Sequence, residues 1–190
     1  MTRYKTPLID WEAQWALHAP GFQNGFLEVK VADITFKMKP GPGFGNLSHP
    51  TTCLMLELMP ALIPGKIVLD IGTGSGILAL AACALGAKAV MACDIDPFAI
   101  EHAQENASLN NFTLNFDCKT PPEVTLLNMI WSEQKQALAS LPHIKGLLLT
   151  SGLLQEQEKE YLHYAKENGW KLLTKKEKEG WLAFLFEMEQ

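Results

Sequence analysis

The stretch "VLDIGTGSGILALAA", residues 68–82, constrains the fold more than any other part of the chain. Three glycines, Gly72, Gly74 and Gly76, stand at alternate positions between an apolar run and a run of small apolar residues. Glycine lets a backbone turn tightly and approach a ligand closely. The stretch therefore predicts a buried strand, a turn that contacts a ligand, and a buried helix. For a motif this short, a tight connection without any ligand is the alternative.

The same alternation of strands and helices continues towards the C-terminus. After the glycines, "AVMACDI" predicts a strand, and Asp96 with Pro97 is typical of a helix cap and first turn, which we prefer to a ligand contact for Asp96. Repeated strand–helix units predict a parallel sheet with helices on both faces. The later units are "FTLNF", "EVTLLNM", "SEQKQALASLP", "GLLLTSG" and "EQEKEYLHYAKENG".

The last stretch, "WKLLTKKEKEGWLAFLFEM", predicts an antiparallel hairpin in which the charged residues "KKEKE" form a solvated turn. The five strands of the repeating units and the two strands of the hairpin make seven. We therefore predict an α/β fold with a mostly parallel, seven-stranded sheet and a C-terminal antiparallel hairpin.

Upstream of the glycines the pattern is less regular. "PLIDWEAQWALHAPG" contains a short amphipathic helix with Asp10 as its cap, and "FLEVKVADITFKMKP" alternates like one or two half-buried strands. Residues 40–50 are rich in Pro and Gly and predict an irregular loop. A helix follows, and the hydroxyls of Thr51 and Thr52 are candidates to cap it.

The composition is that of a folded domain without a strongly basic surface. The chain has 190 residues, 47% of them hydrophobic and 19% charged, with a formal net charge of −5. We expect a substantial core and no direct binding of nucleic acid. The sequence lacks an uninterrupted apolar run of about 18 residues, so we expect no membrane span.

Four cysteines lie far apart in the sequence, and none belongs to a C-x-x-C pair. This spacing argues against a zinc site, and we predict no bound metal. Three of the four sit in strongly apolar surroundings, where buried free thiols are usual. Free thiols fit a reducing, cytoplasmic location.

The spacing of the glycines distinguishes between two cofactors. The dinucleotide fingerprint G-x-G-x-x-G would place its third glycine at Ile77, so the fit to a nicotinamide cofactor fails. An acid two residues before G-x-G-x-G suits S-adenosylmethionine, which has an amino acid tail and no pyrophosphate. Asp70 supplies negative charge that can reach the ammonium of that tail. Asp94, at the end of the next strand, is placed to accept both ribose hydroxyls.

Several segments, in order along almost the whole chain, resemble one family. They are "PGPGFGNLSHPTT", "VLDIGTGSGILALAA", "ACDIDPFAIEHAQENASLN", "LLNMI", "SGLLQEQ" and "GWLAFLF". They resemble the PrmA family, the methyltransferases of large-subunit ribosomal protein eleven, which implies a Rossmann-like class I methyltransferase fold. "DWEAQW" is similar to the linker helix of that family. The resemblance thus implies a linker helix and strands in residues 1–39 and the S-adenosylmethionine-dependent domain in residues 40–190.

The resemblance also implies site residues. Thr52 matches a cofactor-binding position, whereas its neighbour Thr51 is equally well explained as a helix cap. Asn128 matches an asparagine beside both the cofactor and the acceptor amine. We therefore predict Asn128 as the catalytic residue, with a buried asparagine that caps a turn as the alternative. The predicted cofactor contacts are Thr52, Asp70, Gly72, Thr73, Gly74, Asp94, Ile95 and Asn128.

Three further side chains lie near the predicted acceptor site. Phe44 and Trp131 are candidates to wall the acceptor pocket, and ordinary packing is the alternative for both. His49 is a candidate proton acceptor, but we prefer a structural role in its loop because histidines often anchor loops by hydrogen bonds.

The chain departs from the family pattern at three places. Residues 44–49 read F-G-N-L-S-H where the family usually has F-G-T-G-x-H, and the segment 117–124 is short. The chain also starts about where the family linker would start, so we expect no targeting domain. We predict an N-methyltransferase that acts on protein amino groups, with a ribosomal protein as a candidate acceptor. A small-molecule methyltransferase and a non-catalytic cofactor-binding protein are the alternatives.

Overall fold

The computed structural model describes residues 9–140 and 145–188. The first eight residues of the predicted linker and residues 141–142 of the predicted helix 132–142 lie outside this part. In chain order the elements are α1 (Trp11–His18), β1 (Phe22–Gln23), β2 (Phe26–Val31), β3 (Ile34–Met38), α2 (Pro50–Leu58), β4 (Ile67–Ile71), α3 (Ile77–Ala84), β5 (Ala89–Cys93), α4 (Pro97–Leu109), β6 (Val124–Asn128), α5 (Trp131–Ser140), β7 (Gly146–Leu154), α6 (Glu158–Glu167), β8 (Trp170–Lys178) and β9 (Trp181–Met188).

A six-stranded mixed sheet forms the main layer, in the order β5-β4-β6-β7-β9-β8. Strands β5, β4, β6 and β7 are parallel, and β9 runs antiparallel to both β7 and β8. This arrangement confirms the α/β class and the C-terminal hairpin. A smaller antiparallel sheet, β1-β2-β3, precedes it.

One of the seven predicted strands, "FTLNF", is wrong as a full strand. It pairs with β5 through a single bridge at Asn115, whose amide donates to the Val90 carbonyl at 2.9 Å. The Asn115 side chain then accepts a hydrogen bond from the Asp117 amide at 2.8 Å. This local turn competes with a longer ladder and leads the chain away from the sheet.

Two local predictions also need correction. Four of the five "KKEKE" residues lie in β8 rather than in the hairpin turn, and there Lys175 contacts Glu158 and Lys176 contacts Glu57. Only the fifth, Glu179, belongs to the turn, together with Gly180. Helix α2 starts at Pro50 and is capped by the His49 side chain rather than by a threonine hydroxyl.

Three polar side chains, two on α4 and one on its C-terminal cap, hold the chain that leads into the Pro/Gly loop. Asn110 accepts from the Lys37 amide at 2.8 Å, and Asn106 accepts from the Lys39 amide at 2.8 Å. His102 bonds the Lys39 carbonyl at 2.8 Å and accepts from the Gly43 amide at 3.1 Å. These residues recur every fourth position, so they share one helix face. Their side chains therefore bond backbone groups at the edge of β3 that a neighbouring strand would otherwise pair, and they hold the start of the loop in place.

The core consists of two hydrophobic clusters. One contains α3 together with buried residues of β2 and β3, and the other contains Tyr161 of α6 and Phe184 and Phe186 of β9. The boundary predicted between residues 39 and 40 stays a prediction. None of the described helices is long and apolar enough to cross a membrane.

The four cysteines are free, as predicted, but they are half-buried rather than fully buried. Burial raises the pKa of the Cys83 thiol to about 11 and that of Cys93 to about 12. The two thiols therefore stay protonated at neutral pH, and a protonated thiol is a poor nucleophile.

Candidate functional site

A cleft of about 920 Å³ opens where the parallel strands β4, β5 and β6 end. Ligands of open α/β sheets bind at this edge. Six of the predicted site residues line the cleft: Phe44, Gly72, Gly74, Asp94, Ile95 and Asn128. The other lining residues are Pro42, Gly43, His49, Thr51, Asp96, Ala99, Met129, Ile130, Glu133, Gln136, Ala137, Gly152 and Trp181.

The Pro/Gly loop crosses directly over the glycine turn. Gly72, Gly74 and Gly76 all have positive φ angles, of 68°, 55° and 84°. A Cβ atom on Gly43 would lie 2.4 Å from the Gly74 carbonyl carbon, and a Cβ on Gly74 would lie 2.6 Å from the Phe44 carbonyl oxygen. Neither Gly43 nor Gly74 has room for a side chain where the two loops cross, and the crossing forms one wall of the cleft.

The backbone amides of the glycine turn are all used within the protein. Those of Gly72 and Thr73 donate to the Cys93 carbonyl at 2.8 and 3.0 Å, and that of Ser75 donates to the Phe44 carbonyl at 2.8 Å. The Gly74 amide donates to Asp94 at 3.0 Å. A phosphate-binding loop needs such amides free to face the ligand. This turn therefore suits a ligand without a phosphate group.

Asp94 lies half-buried at the end of β5, with both carboxylate oxygens in use. Its Oδ2 accepts from the Gly74 amide and its Oδ1 from the Asp96 amide, each at 3.0 Å. A carboxylate oxygen has two lone pairs, so each can still accept one bond from a ligand hydroxyl. The neighbouring Ile95 side chain is fully exposed and offers an apolar surface beside that carboxylate. Asp96 accepts from the Phe98 amide at 2.9 Å and caps α4 as predicted.

Asp70 is 1% exposed and does not line the cleft. Its carboxylate accepts a hydrogen bond from the Thr73 hydroxyl at 2.8 Å, and the backbone of Ala79 in the first turn of α3 also favours its charged form. Burial raises the pKa of Asp70 more than the interactions with Thr73 and Ala79 lower it, and the resulting pKa is about 7. The Asp70 carboxylate and the Thr73 hydroxyl thus bind each other outside the lining of the cleft. Direct contact of either residue with a cofactor stays a prediction.

We expect Asp70 to make the stability of the ligand-free protein fall as the pH rises. Its pKa is higher in the folded state, about 7, than the usual 3.8 of the unfolded chain. Between these values the folded state binds the extra proton, so the free energy of unfolding decreases from pH 4 to pH 7, by at most about 4 kcal/mol. Urea unfolding of the wild type and of Asp70→Asn at a series of pH values measures the difference. Parallel pH curves for the two proteins would contradict this assignment.

Asn128 ends β6, opposite Ser151 of β7. Its side chain lines the cleft and has no hydrogen-bond partner in the part of the chain that the structure describes. An asparagine that caps a turn would use its amide within the protein. The free amide instead leaves one carbonyl acceptor and two N–H donors available to a ligand.

Two further predicted contacts, Thr52 and Trp131, also lie away from the cleft. Thr52 is fully buried in α2, and its hydroxyl has no hydrogen-bond partner among the described residues. Trp131 is 5% exposed, packs against Tyr161, and donates from its indole to Glu160 at 2.8 Å. Trp131 borders a neighbouring groove of about 570 Å³ rather than the cleft itself. The roles of these two residues in ligand binding therefore stay predictions.

The sequence analysis missed Trp181. The His49 ring packs edge-on against Trp181, with centroids 4.7 Å apart, and against Phe44 at 5.6 Å. Burial lowers the pKa of His49, so its imidazole is neutral at pH 7. A signal for Trp181 did exist, because an antiparallel last strand must begin at the edge where the parallel strands end.

The altered loop at residues 44–49 is held by its own hydrogen bonds. The amide and the hydroxyl of Ser48 both donate to the Asn46 side chain, at 3.2 and 2.6 Å. Leu47 has a positive φ of 68° and packs against the core. Among the described residues, no group of three or more His, Cys, Asp or Glu side chains could hold a metal ion.

Comparison with known proteins agrees with this geometry. The family model described as ribosomal protein L11 methyltransferase (PrmA) matches residues 20–189. The ribosomal protein L11 methyltransferase of Carboxydothermus hydrogenoformans is 36% identical over 179 residues, which cover 87% of this chain and 57% of that protein. That of Pelobacter propionicus is 41% identical over 176 residues, which cover 78% of this chain and 57% of that protein.

A solved structure shows the same likeness. The ribosomal protein L11 methylase from Lactobacillus delbrueckii subsp. bulgaricus has a TM-score of 0.68 and 29% identity, over 80% of this chain and 84% of that one. The chain spans little more than half the length of the two sequence relatives above. The resemblance inferred from the sequence motifs is confirmed: the chain belongs to the PrmA family of ribosomal protein L11 methyltransferases.

Proposed function

We propose that this chain transfers a methyl group from S-adenosylmethionine to an amino group of a protein, with ribosomal protein L11 as the acceptor. One observation carries the proposal: the free side chain of Asn128 faces the same cleft as Asp94 and the glycine turn. Membership of the PrmA family and the names of the relatives support the acceptor. Such an acceptor also fits the cytoplasmic location expected from the free thiols.

The residues of the cleft fit this cofactor. Asp94 has lone pairs free for two ribose hydroxyls, and the exposed Ile95 offers an apolar surface to the adenine. The glycine turn has no free amides for a pyrophosphate but admits the close approach of a sulfonium and its amino acid tail. These properties favour S-adenosylmethionine over a dinucleotide.

When bound, the cofactor supplies an electrophilic methyl group on a positively charged sulfur. The protein then has to align a neutral amine with that methyl group and exclude water, which together lower the barrier by several kcal/mol. The side-chain carbonyl of Asn128 accepts a hydrogen bond from an N–H of the amine and so directs the amine's lone pair towards the methyl group. No strong base is required, because desolvation in the cleft favours the neutral amine.

The mouth of the cleft attracts cations. Asp94, Asp96 and Glu133 line it, and no Lys or Arg does among the described residues. A lysine side chain or a chain N-terminus is mostly protonated at neutral pH, since their ordinary pKa values are about 10.4 and 8. The acidic rim therefore favours an amine on its way into the cleft. Phe44, His49 and Trp181 form the apolar surface on which the amine sheds its water.

A labelled-methyl assay tests the proposal. The protein is incubated with S-adenosylmethionine that carries a radioactive methyl group, together with purified ribosomal protein L11 or a fractionated bacterial lysate. We expect label on L11, and calorimetry should show binding of S-adenosylhomocysteine but not of NAD.

Other results would replace parts of the proposal. Label on a small molecule would show a different acceptor class, and cofactor binding without any transfer would indicate a binding protein. Binding of NAD in place of S-adenosylhomocysteine would refute the cofactor assignment.

A further inference from the structure

A buried glutamine, Gln134, connects the residue that follows β6 to the C-terminal half of β7. It lies in the first turns of α5 and is 0% exposed. Its side-chain nitrogen donates to the Met129 carbonyl at 2.7 Å and to the Ser151 carbonyl at 2.9 Å. Met129 follows Asn128 in the chain, and Ser151 lies opposite Asn128 in the sheet. The Gln134 amide group thus binds the backbone on both sides of Asn128.

The other end of the same amide is also fully used. Its oxygen accepts hydrogen bonds from the Thr150 hydroxyl and the Tyr161 hydroxyl, each at 2.9 Å. A glutamine amide has two N–H donors and two acceptor lone pairs, and all four are satisfied here. Burial of an unpaired polar group is costly, so a fully satisfied network has one favoured arrangement. Gln134 is therefore held rigidly.

The backbone after Asn128 needs such an anchor because β7 bulges beside it. The pairing of β7 with β9 shifts register between Ser151 and Leu153, and the residue between them, Gly152, has a φ of 99°. A Cβ on Gly152 would lie 2.0 Å from the Met129 carbonyl oxygen. The bulge thus makes room for that carbonyl, and the Met129 amide continues the pairing with β7 by donating to the Ser151 carbonyl at 3.2 Å.

We propose that Gln134 is a positioning residue: through the Met129 and Ser151 carbonyls it sets where the Asn128 side chain stands in the cleft. The role in transfer rests on the proposed function, but the effect on Asn128 does not. Replacing Gln134 with methionine preserves length and volume and removes all four hydrogen bonds.

The first test needs no acceptor. In nuclear magnetic resonance spectra of Gln134→Met, we expect the Asn128 side-chain amide resonance to shift or broaden. Exchange of the Met129 amide hydrogen with solvent should become about tenfold faster or more. An unchanged Asn128 resonance with unchanged Met129 exchange would overturn the proposal. If Gln134→Met does not fold, Tyr161→Phe removes one hydroxyl donor and should give smaller changes in the same direction.

The second test measures transfer to ribosomal protein L11 well below the melting temperature. For Gln134→Met we expect kcat to fall roughly 10- to 100-fold, as for a small misplacement of a reacting group. The affinity for S-adenosylhomocysteine should stay close to that of the wild type. A normal kcat despite faster Met129 exchange would overturn the positioning role and leave Gln134 as a stabilising residue.

A pH profile separates position from stability. In Gln134→Glu the acceptors remain, but an ionised carboxylate would face the Met129 and Ser151 carbonyls. Protonation restores one donor, so the kcat of this variant relative to the wild type should rise as the pH falls from about 9 to about 6. A ratio that does not change with pH would contradict the role of the donor group.

Thr125→Val is the matched control. Thr125 lies in the same strand as Asn128, and within residues 9–140 and 145–188 its buried hydroxyl has no hydrogen-bond partner. This change should leave the Asn128 resonance, the Met129 exchange and kcat unaltered. If wild-type protein does not methylate L11, the proposed acceptor fails, whereas the resonance and exchange results still decide whether Gln134 positions Asn128.

Discussion

Replacing Asn128 with alanine is expected to reduce methyl transfer about 100-fold or more, the size of effect seen when an aligning hydrogen bond to the reacting group is lost. The protein should stay folded, because the Asn128 side chain has no partner among the described residues whose loss would weaken the fold. The rate should fall at saturating cofactor as well as at low concentration. A radiometric assay with ribosomal protein L11 under both conditions measures this change.

Asn115 provides a matched control for that experiment. It lies at the single bridge beside β5, and its side chain accepts a hydrogen bond from the Asp117 amide and so serves the local turn. Asn115→Ala should lower stability by about 1 kcal/mol and leave the turnover rate unchanged. If Asn128→Ala instead melted much lower and turned over normally, Asn128 would be a structural asparagine. The role assigned to it would then be wrong.

Much of the fold follows from local patterns in the sequence. The run of small apolar residues in α3 is buried on nearly all sides, and Asp96 caps α4 where the Asp-Pro pair predicts. These elements were predictable because their hydrophobic period and their caps are properties of neighbouring residues. The carboxyl ends of parallel strands share one edge of the sheet. The sequence therefore also predicted that Asp94 and Asn128 lie at the same edge, where both line the cleft.

The secondary-structure predictions were wrong where contacts with residues distant in the sequence determine the local structure. "FTLNF" has strand-forming residues, but only one bridge forms at Asn115 because the side chain turns the chain away. The lysines and glutamates of "KKEKE" suit a turn, yet Lys175 and Lys176 lie in β8 and pair with Glu158 and Glu57 from other elements. Intrinsic preference is a weak guide when packing and pairing across the sheet compete with it.

Parts of the site were hidden for the same reason. Gln134 is a polar residue in a polar stretch of the chain, and nothing in its neighbours predicts complete burial. Its partners Thr150 and Tyr161 are 16 and 27 residues away. Trp181 reaches the cleft only because β9 pairs antiparallel to β7. Contacts of this kind depend on the assembled sheet, which the periodicity of one segment does not specify.

Replacing Asp94 with alanine is expected to weaken the binding of S-adenosylhomocysteine by about 1.5–3 kcal/mol, the value typical of hydrogen bonds to a charged group. This corresponds to a dissociation constant roughly 10- to 150-fold higher, measured by calorimetry. Two effects act in the same direction. The variant loses the acceptors proposed for the ribose hydroxyls, and the Gly74 amide loses its partner at 3.0 Å, which loosens the glycine turn.

Asp96 allows the contribution of charge to be separated from that of geometry. Asp94→Asn and Asp96→Asn each remove one negative charge from the mouth of the cleft, two residues apart. Asp96→Asn keeps the cap of α4, since asparagine accepts from the Phe98 amide as aspartate does. Only Asp94→Asn should weaken binding strongly, because it places an N–H donor against either the Gly74 amide or the ribose. Equal losses in both variants would show that the cleft binds its ligand by net charge, and an unchanged affinity in Asp94→Ala would show that the ribose lies elsewhere.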